Sequence, residues 1–432
     1  MSDPAPSACP YPHLKDVVAE GTILDTRIQA SPNFFYRELR ARDPVHYDET
    51  LGMYLVSRFE DLQTVTADPI TFSSERGYKA QTAKGFQDEF QAILREHGGG
   101  FFPDAIKTDP PYHTRIRRLT DHAFGAHRVK ALEPRIAEVV RGVIDELPAT
   151  GLADGVRDLA APITIRFICE QLGLGAVDGQ KIIDWSFAVV AQQSRMQQRE
   201  DMVANAMLIA ELQQFLIGHI RDREQNPRED MISDLVHARL GDKDEDRLTF
   251  EEIVSLARAL LIAGNETTAT AIGHMLVLLA TRPDLTEDLY AHRDDDRWLN
   301  RFVEELLRYE PPSRGLTRMT TREVELGGRI LPEGAHLLLL WASGNDTETV
   351  FPDARTFDMT RPNLGRHLSF GSGAHRCIGA SLARMEIKLT AREIVTQLTD
   401  LRLLVPVEEI RFVPTIATHP IAELPLAFKR RA

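Results

Sequence analysis

The sequence predicts a mainly α fold with a minor β portion, read as a single domain over residues 1–432. Three observations predict it. Helical periodicity recurs from Asp109 onward, short strand-like runs gather near the end, and neither a low-complexity linker nor an internal repeat divides the chain. A length of 432 residues alone would favour two or three domains. The missing linker argues for one.

Residues 1–30 are Pro-rich and poorly periodic and are expected to be an extended N-terminal segment. Alternation at 45–47 and 53–56 predicts a short hairpin. Apolar spacing predicts helices over 131–147, 162–172, 202–223, 250–281, 299–309 and 377–399. Strands are expected at 323–326, 336–340, 401–404 and 424–428. The helix from Phe250 has full punctuation: Thr249 as cap, Glu252 completing a capping box, Leu248 stapling to Ile253, and Pro283 ending it. At about 1.5 Å per residue it spans roughly 50 Å, enough to cross the molecule. Its middle is apolar on nearly every face until Gly264, after which polar residues appear where burial should be deepest.

Hydrophobic residues make up 43% and charged residues 27%, within the globular range. With 64 acidic and 51 basic residues the net charge is −13, which repels nucleic acid and anionic lipid, so neither is expected as a partner. The start lacks a basic, apolar leader, and uninterrupted apolar runs fall short of a bilayer span of roughly 18–20 residues. A cytoplasmic monomer is expected. Cys9, Cys169 and Cys377 are odd in number and widely spaced, so neither a disulfide framework nor a zinc site is supported.

Around Cys377, the run Phe370-Gly-Ser-Gly-Ala-His-Arg-Cys-Ile-Gly places Gly371, Gly373 and Gly379 just before a helix. Such density permits positive φ and close backbone approach, a loop that aims N–H groups at a sulfur and leaves room for a flat ligand. A helix N-terminus beside the sulfur is expected to lower its pKa and favour the metal-binding thiolate. The plainer alternative is a Gly-rich turn with an incidental cysteine. Glu305 and Arg308, at i and i+3, can pair on one helical face; alone they would more often be an exposed salt bridge. The run Ala263-Gly-Asn-Glu-Thr-Thr places Thr267 four residues after Ala263, whose carbonyl it can bond, loosening the ladder and opening a groove for water. His113 and Arg117 share a face at i and i+4.

Taken together, Phe370-x-Gly-x-x-x-x-Cys377-x-Gly379, Ala383-Arg384-x-Glu386, Glu305-x-x-Arg308 with Arg361, Ala263-Gly-x-Glu-Thr, and the Asp109-Pro-Pro-Tyr-His113 helix resemble the motifs of the cytochrome P450 family, in its order and over nearly the whole chain. The resemblance implies the cytochrome P450 fold, a triangular helical prism with a long central helix over haem b and small sheets. It further implies Cys377 as proximal thiolate to iron, Phe370 near the sulfur, and His113, Arg117, Arg318 and His375 on the haem propionates. Gly264 would thin the helix wall so that dioxygen, the co-substrate, can lie beside Ala263. Thr267 and Glu266 would be the catalytic alcohol and acid, Glu266 relaying protons from solvent where many relatives carry Asp. Glu305, Arg308 and Arg361 would be structural.

By the same resemblance the reaction is hydroxylation of a hydrophobic small molecule, such as a terpenoid, steroid or aromatic compound. The pocket would draw on residues 78–106 and 183–205 and on Leu260, Ala263, Leu316, Thr317, Ile416 and Ala417. Phe101 and Phe102, with Phe86 and Phe90, suggest an aromatic or alicyclic substrate or plain core. With no flavin or iron–sulfur module in the sequence, a ferredoxin or flavodoxin with its NAD(P)H-dependent reductase is expected to supply electrons, docking near Arg115, Arg118 and Arg376. A peroxide-driven peroxygenase and a non-catalytic haem sensor are the alternatives. His97-Gly-Gly-Gly lacks a nucleophile elbow to serve and is expected to be a flexible loop. Gly371-x-Gly373 has Arg376 where a dinucleotide fingerprint needs glycine.

Overall fold

A computed structural model describes residues 10–81, 86–121, 125–192, 198–241 and 247–431. Cys9 and the parts of the expected pocket at 82–85 and 193–197 lie outside the described residues.

The central element is the helix Phe250–Thr281, 32 residues long. Its capping box is complete: the Glu252 N–H donates to Thr249 Oγ1 at 3.2 Å and the Thr249 N–H to Glu252 Oε2 at 2.8 Å. Leu248 and Ile253 are buried in the same cluster, and Pro283 opens the next helix, Pro283–Ala291. Around this spine pack the helices Ala161–Gln171, Gly179–Ala191, Arg199–Gln225, Met231–His237 and Ala380–Gln397. Enclosure on every side explains why its sequence is apolar nearly all round. The loosening expected at Thr267 does not interrupt it, since the segment is α-helical throughout.

Asn265 accounts for part of the buried polarity. Its amide donates to Ser186 Oγ at 3.2 Å and its carbonyl accepts from Thr164 Oγ1 at 2.8 Å, tying the spine to two neighbouring helices.

The strands are β1 Val45–Asp48, β2 Met53–Val56, β3 Phe72–Ser73, β4 Leu152–Asp154, β5 Gly315–Thr320, β6 Val324–Leu326, β7 Arg329–Leu331, β8 His336–Leu340, β9 Leu398–Leu403 and β10 Pro425–Arg430. One sheet has the order β1-β2-β8-β5-β3, in which only β2 and β8 run parallel. A second is β4-β10-β9, and β6-β7 form a hairpin whose turn residues Gly327 and Gly328 have φ of +57° and +80°. Two successive positive φ values are what a two-residue hairpin turn demands, and glycine supplies them.

Several expectations are corrected. The N-terminal segment is not wholly extended but contains short helices at Val17–Glu20 and Thr26–Ala30, capped by Asp16 and Asp25. Helices Asn33–Arg42, Phe59–Ala67 and Gln87–His97 precede Asp109. The helix expected over 131–147 is Glu133–Asp145, with Pro134 in its first turn, and a separate short helix, Ala126–Ala131, precedes it. Gly98 and Gly100 are pinned rather than loose, both carbonyls accepting from Gln213 Nε2.

The helix Arg199–Gln225 is long and apolar enough to cross a bilayer by length and composition. Half of its most apolar stretch is buried in the protein, against the helices Gln87–His97, Gly179–Ala191 and Phe250–Thr281.

Candidate active site

The Cys377 loop is closed by its own backbone. The Cys377 N–H donates to Phe370 O at 2.9 Å, Gly371 N–H to Leu368 O at 2.8 Å, and Arg376 N–H to Gly373 O at 3.1 Å. Gly371 and Gly373 have φ near +65° and +68°, and a Cβ on Gly373 would stand 2.1 Å from the Thr66 carbonyl oxygen. Only glycine fits there. The helix Ala380–Gln397 begins three residues after the cysteine. Phe370 is held by the Arg384 guanidinium, 4.3 Å from its ring centroid, and Arg384 Nη2 reaches Glu304 Oε2 at 3.1 Å.

The Cys377 side chain is exposed on the loop yet crowded by protein, and burial pushes its thiol above the ordinary value. The Gly379 N–H, Arg117, Arg384 and Arg376 pull the other way but do not prevail. The expected lowering is therefore corrected: desolvation outweighs the helix terminus and the nearby cations.

Beside the loop, the rings of His113 and His375 lie 3.9 Å apart with 30° between their planes, and among the described residues both buried Nε2 atoms lack a partner. Arg318, on β5, is 4% exposed. Among the described residues its side chain donates to the neighbouring Thr317 carbonyl, at 2.7 Å. Burial lowers it to about 10. Arg117 donates to Arg376 O at 2.8 Å. His375 is held down at about 3, by burial first and then by Arg318, His113 and Arg117. Arg117 is also paired with Asp121 at 3.2 Å, but the two imidazole nitrogens and the buried Arg318 remain costly unless an anion meets them. The two carboxylates of a haem edge fit these orphaned groups, so the residues present suit the cofactor.

A cavity of about 600 Å³ adjoins β5 at Leu316. The long helix presents Ala259, Ile262, Ala263, Glu266 and Thr267 to it, spaced as one helical face. Thr267 Oγ1 donates to Ala263 O at 2.9 Å. Phe101, Leu316 and Ala417 line it too, as expected. Others do not. Leu260 turns into the core, and Gly264 faces Ile168, whose Cδ1 would be 3.0 Å from an added Cβ. Gly264 thus admits a neighbouring helix rather than opening the cavity wall. Thr317 and Ile416 alternate with the lining residues Leu316 and Ala417 and are buried behind them. Phe102 is buried against Phe250, with ring centroids 6.1 Å apart.

The expected stretches contribute through Tyr78, Phe90 and Val189, while Phe86 does not line the cavity. Lys107, Arg258 and Thr418 line it as well and carried no motif that sequence reasoning could use.

Glu266 borders this cavity and a second one of about 470 Å³. Its Oε1 accepts from Thr418 Oγ1 at 3.0 Å, and burial pushes it up to about 7. Thr268 bonds Glu386, on the helix that follows Cys377, and burial raises Glu386 to about 8.

The Glu305–Arg308 pair is fully buried, which overturns the reading of an exposed salt bridge. Arg308 engages both carboxylate oxygens, at 2.7 and 2.8 Å, and Arg361 Nε joins at 3.3 Å. Arg361 also donates to the carbonyls of Asp353 and Thr356, and Glu305 accepts the Asp358 N–H. This network clamps the segment 352–361 that leads to the cysteine loop. Arg115, expected to be free for docking, is paired with Glu252 at 2.8 Å, whereas Arg118 and Arg376 are exposed.

A cysteine loop, a cradle of arginines and unpartnered imidazoles, and a threonine–glutamate pair on a cavity wall define an oxygen-activating haem protein. The family model described as Cytochrome P450 matches residues 194–399. Cytochrome P450 monooxygenase PikC of Streptomyces venezuelae is 34% identical over 93% of this chain and 92% of its own length. 6-Deoxyerythronolide B hydroxylase of Saccharopolyspora erythraea is 32% identical over 90% of this chain and 94% of its own. Among solved structures, cytochrome P450 CREJ in complex with (4-ethylphenyl) dihydrogen phosphate superposes with a TM-score of 0.83 at 29% identity, covering 93% of this chain and 98% of that one. The chain belongs to the cytochrome P450 family. It is a monooxygenase that uses haem b, with dioxygen as co-substrate.

Proposed function

We propose that this chain hydroxylates a C–H bond of a hydrophobic small molecule, a terpenoid, steroid or aromatic compound, held in the cavity of about 600 Å³. Cys377 would hold the haem iron through its sulfur, Phe370, Gly371 and Gly379 would shape the loop around it, and His113, Arg117, Arg318 and His375 would hold the propionates. Bound haem with a thiolate ligand supplies the oxidising chemistry. The chain supplies position and protons. Phe101, Ala263, Leu316 and Ala417 orient the substrate and exclude water. Thr267 places its hydroxyl at the cavity wall, anchored on Ala263 O. Glu266 holds a proton near neutrality and moves it from the second cavity toward Thr267.

Electrons come from a ferredoxin or flavodoxin, reduced by an NAD(P)H-dependent reductase and docking where Arg118 and Arg376 are exposed. The protein acts as a cytoplasmic monomer. The aryl ligand of the structural relative supports an aromatic substrate.

The observation that carries this reading is Glu266, half of an acid–alcohol pair, standing between two cavities with its carboxyl raised to about 7. The test is turnover of the haem-loaded protein with a surrogate ferredoxin, its reductase and oxygen-18-labelled dioxygen over a ligand panel. One labelled oxygen in the product is expected. Tight binding without product from any donor would leave a haem sensor, and product from hydrogen peroxide alone would make it a peroxygenase.

A further inference from the structure

At the end of the cavity away from Thr267, two cations face the interior without an acid. The Lys107 ammonium lies 4.0 Å from the centroid of the Tyr78 ring. Its side chain lines the cavity and is otherwise enclosed by protein. Arg258, on the long helix, spends its guanidinium on two uncharged acceptors, Gln213 Oε1 and, at 3.2 Å, the Phe102 carbonyl. Among the described residues no carboxylate lies within ion-pair distance of either cation.

The other charged groups on the cavity wall do not cancel this pair. Glu75 is matched to Lys79. Asp104 accepts the backbone N–H groups of Ile106 and Lys107, at 2.9 and 2.8 Å; its charge favours the Lys107 ammonium and offsets part of the burial cost without pairing with it. Glu266 stands at the reacting end. A desolvated ammonium beside a guanidinium is expensive unless an anion is delivered to it, and burial already presses Lys107 toward losing its proton.

We propose that Lys107 and Arg258 form an anion-binding subsite, and that the substrate is an apolar molecule carrying one carboxylate, steered so that its far end is oxidised. This rests on the monooxygenase reading above and narrows it. The long helix is the ruler. Arg258 precedes Ala263 by five residues and Thr267 by nine, so the carboxylate is held roughly 8–13 Å from the reacting carbon at 1.5 Å per residue. Phe90, Phe101, Ile262 and Leu316 supply the apolar channel between the two ends. A neutral hydrocarbon would leave the cations unmatched, and an amine would be repelled.

The test uses haem-loaded protein and two matched probe pairs, dodecanoate with methyl dodecanoate and biphenyl-4-acetate with its methyl ester. Binding is read by isothermal titration calorimetry, and the reduced carbonyl spectrum is recorded for each variant. At least one acid should bind about tenfold or more tightly than its ester, the scale of a hydrogen bond to a charged group. Lys107→Gln should erase that preference while leaving ester affinity and the spectrum unchanged, and Arg258→Gln should weaken it. The proposal is overturned if no acid outbinds its ester in the wild type, or if the preference survives both substitutions. Either result with an intact thiolate spectrum removes the subsite alone, whereas loss of that spectrum in the wild type would remove the monooxygenase reading.

Discussion

Thr418 donates a 3.0 Å hydrogen bond to Glu266, and it does so across the wall where two cavities meet. Burial raises Glu266 from 4.5 to about 7, and this bond, which favours the charged form, opposes the rise. As a proton relay, Glu266 therefore changes state in the working pH range. Glu266→Gln should lower turnover by about a hundredfold and remove an ionisation near pH 7 from its pH profile. Thr418→Ala should shift that ionisation upward. Stopped-time product assays between pH 5.5 and 8.5 check both.

The same residue couples to stability. Folded Glu266 keeps its proton up to about pH 7, whereas the unfolded chain releases it near 4.5. Its stabilising contribution is thus complete below pH 4.5 and is lost as pH rises through 7. Glu266→Gln should raise the melting temperature at pH 8 and change it little near pH 4.5, as measured by thermal unfolding at both values.

Thr267 tests the alcohol half of the pair. Its hydroxyl is anchored on Ala263 O and lines the cavity. Thr267→Ala should keep substrate affinity but uncouple NADH consumption from product, releasing hydrogen peroxide. Unchanged coupling would refute the role.

The cradle predicts cofactor retention. Among the described residues His113 and His375 each hold a buried nitrogen without a partner, and Arg318 has no acid in ion-pair contact. Replacing His375 or Arg318 by Ala should speed haem transfer to apomyoglobin by about 10- to 100-fold, the worth of one hydrogen bond to a charged group. Cys377→Ser should instead abolish the red-shifted Soret band of the reduced carbonyl complex.

Glu305 and Arg308 form a buried pair with no exposure on either side chain. Glu305→Ala should cost about 3–5 kcal/mol by stranding two guanidinium groups, read from chemical denaturation. Removing Arg308 as well should cost less than the sum of the single losses.

Much of this architecture was legible before any coordinates. The capping box and Pro283 marked the ends of the long helix, because caps are local chemistry written in adjacent residues. The hairpin at Val45–Asp48 and Met53–Val56 followed from alternation, and the cysteine loop from its glycines. Helices such as Gly179–Ala191 and Gln87–His97 escaped, as did strand β5. Gln87–His97 does carry a helical period in Phe90, Ile93 and Leu94, but these large apolar positions stand among many polar ones; β5 answers to neighbours distant in sequence.

By itself, the sequence singled out the candidate groups: a cysteine among glycines, an acid beside an alcohol, an acid and an arginine one turn apart. It could not determine which way they face. Gly264 and Leu260 turned to the core, Thr317 and Ile416 fell behind Leu316 and Ala417, and Arg115 was taken up by Glu252. Only the tertiary structure decided these, because rotation of a helix about its axis and the inward side of a strand are set by packing against distant elements. For the same reason Lys107 and Arg258, separated by 151 positions, met on one cavity wall without any motif to foretell it.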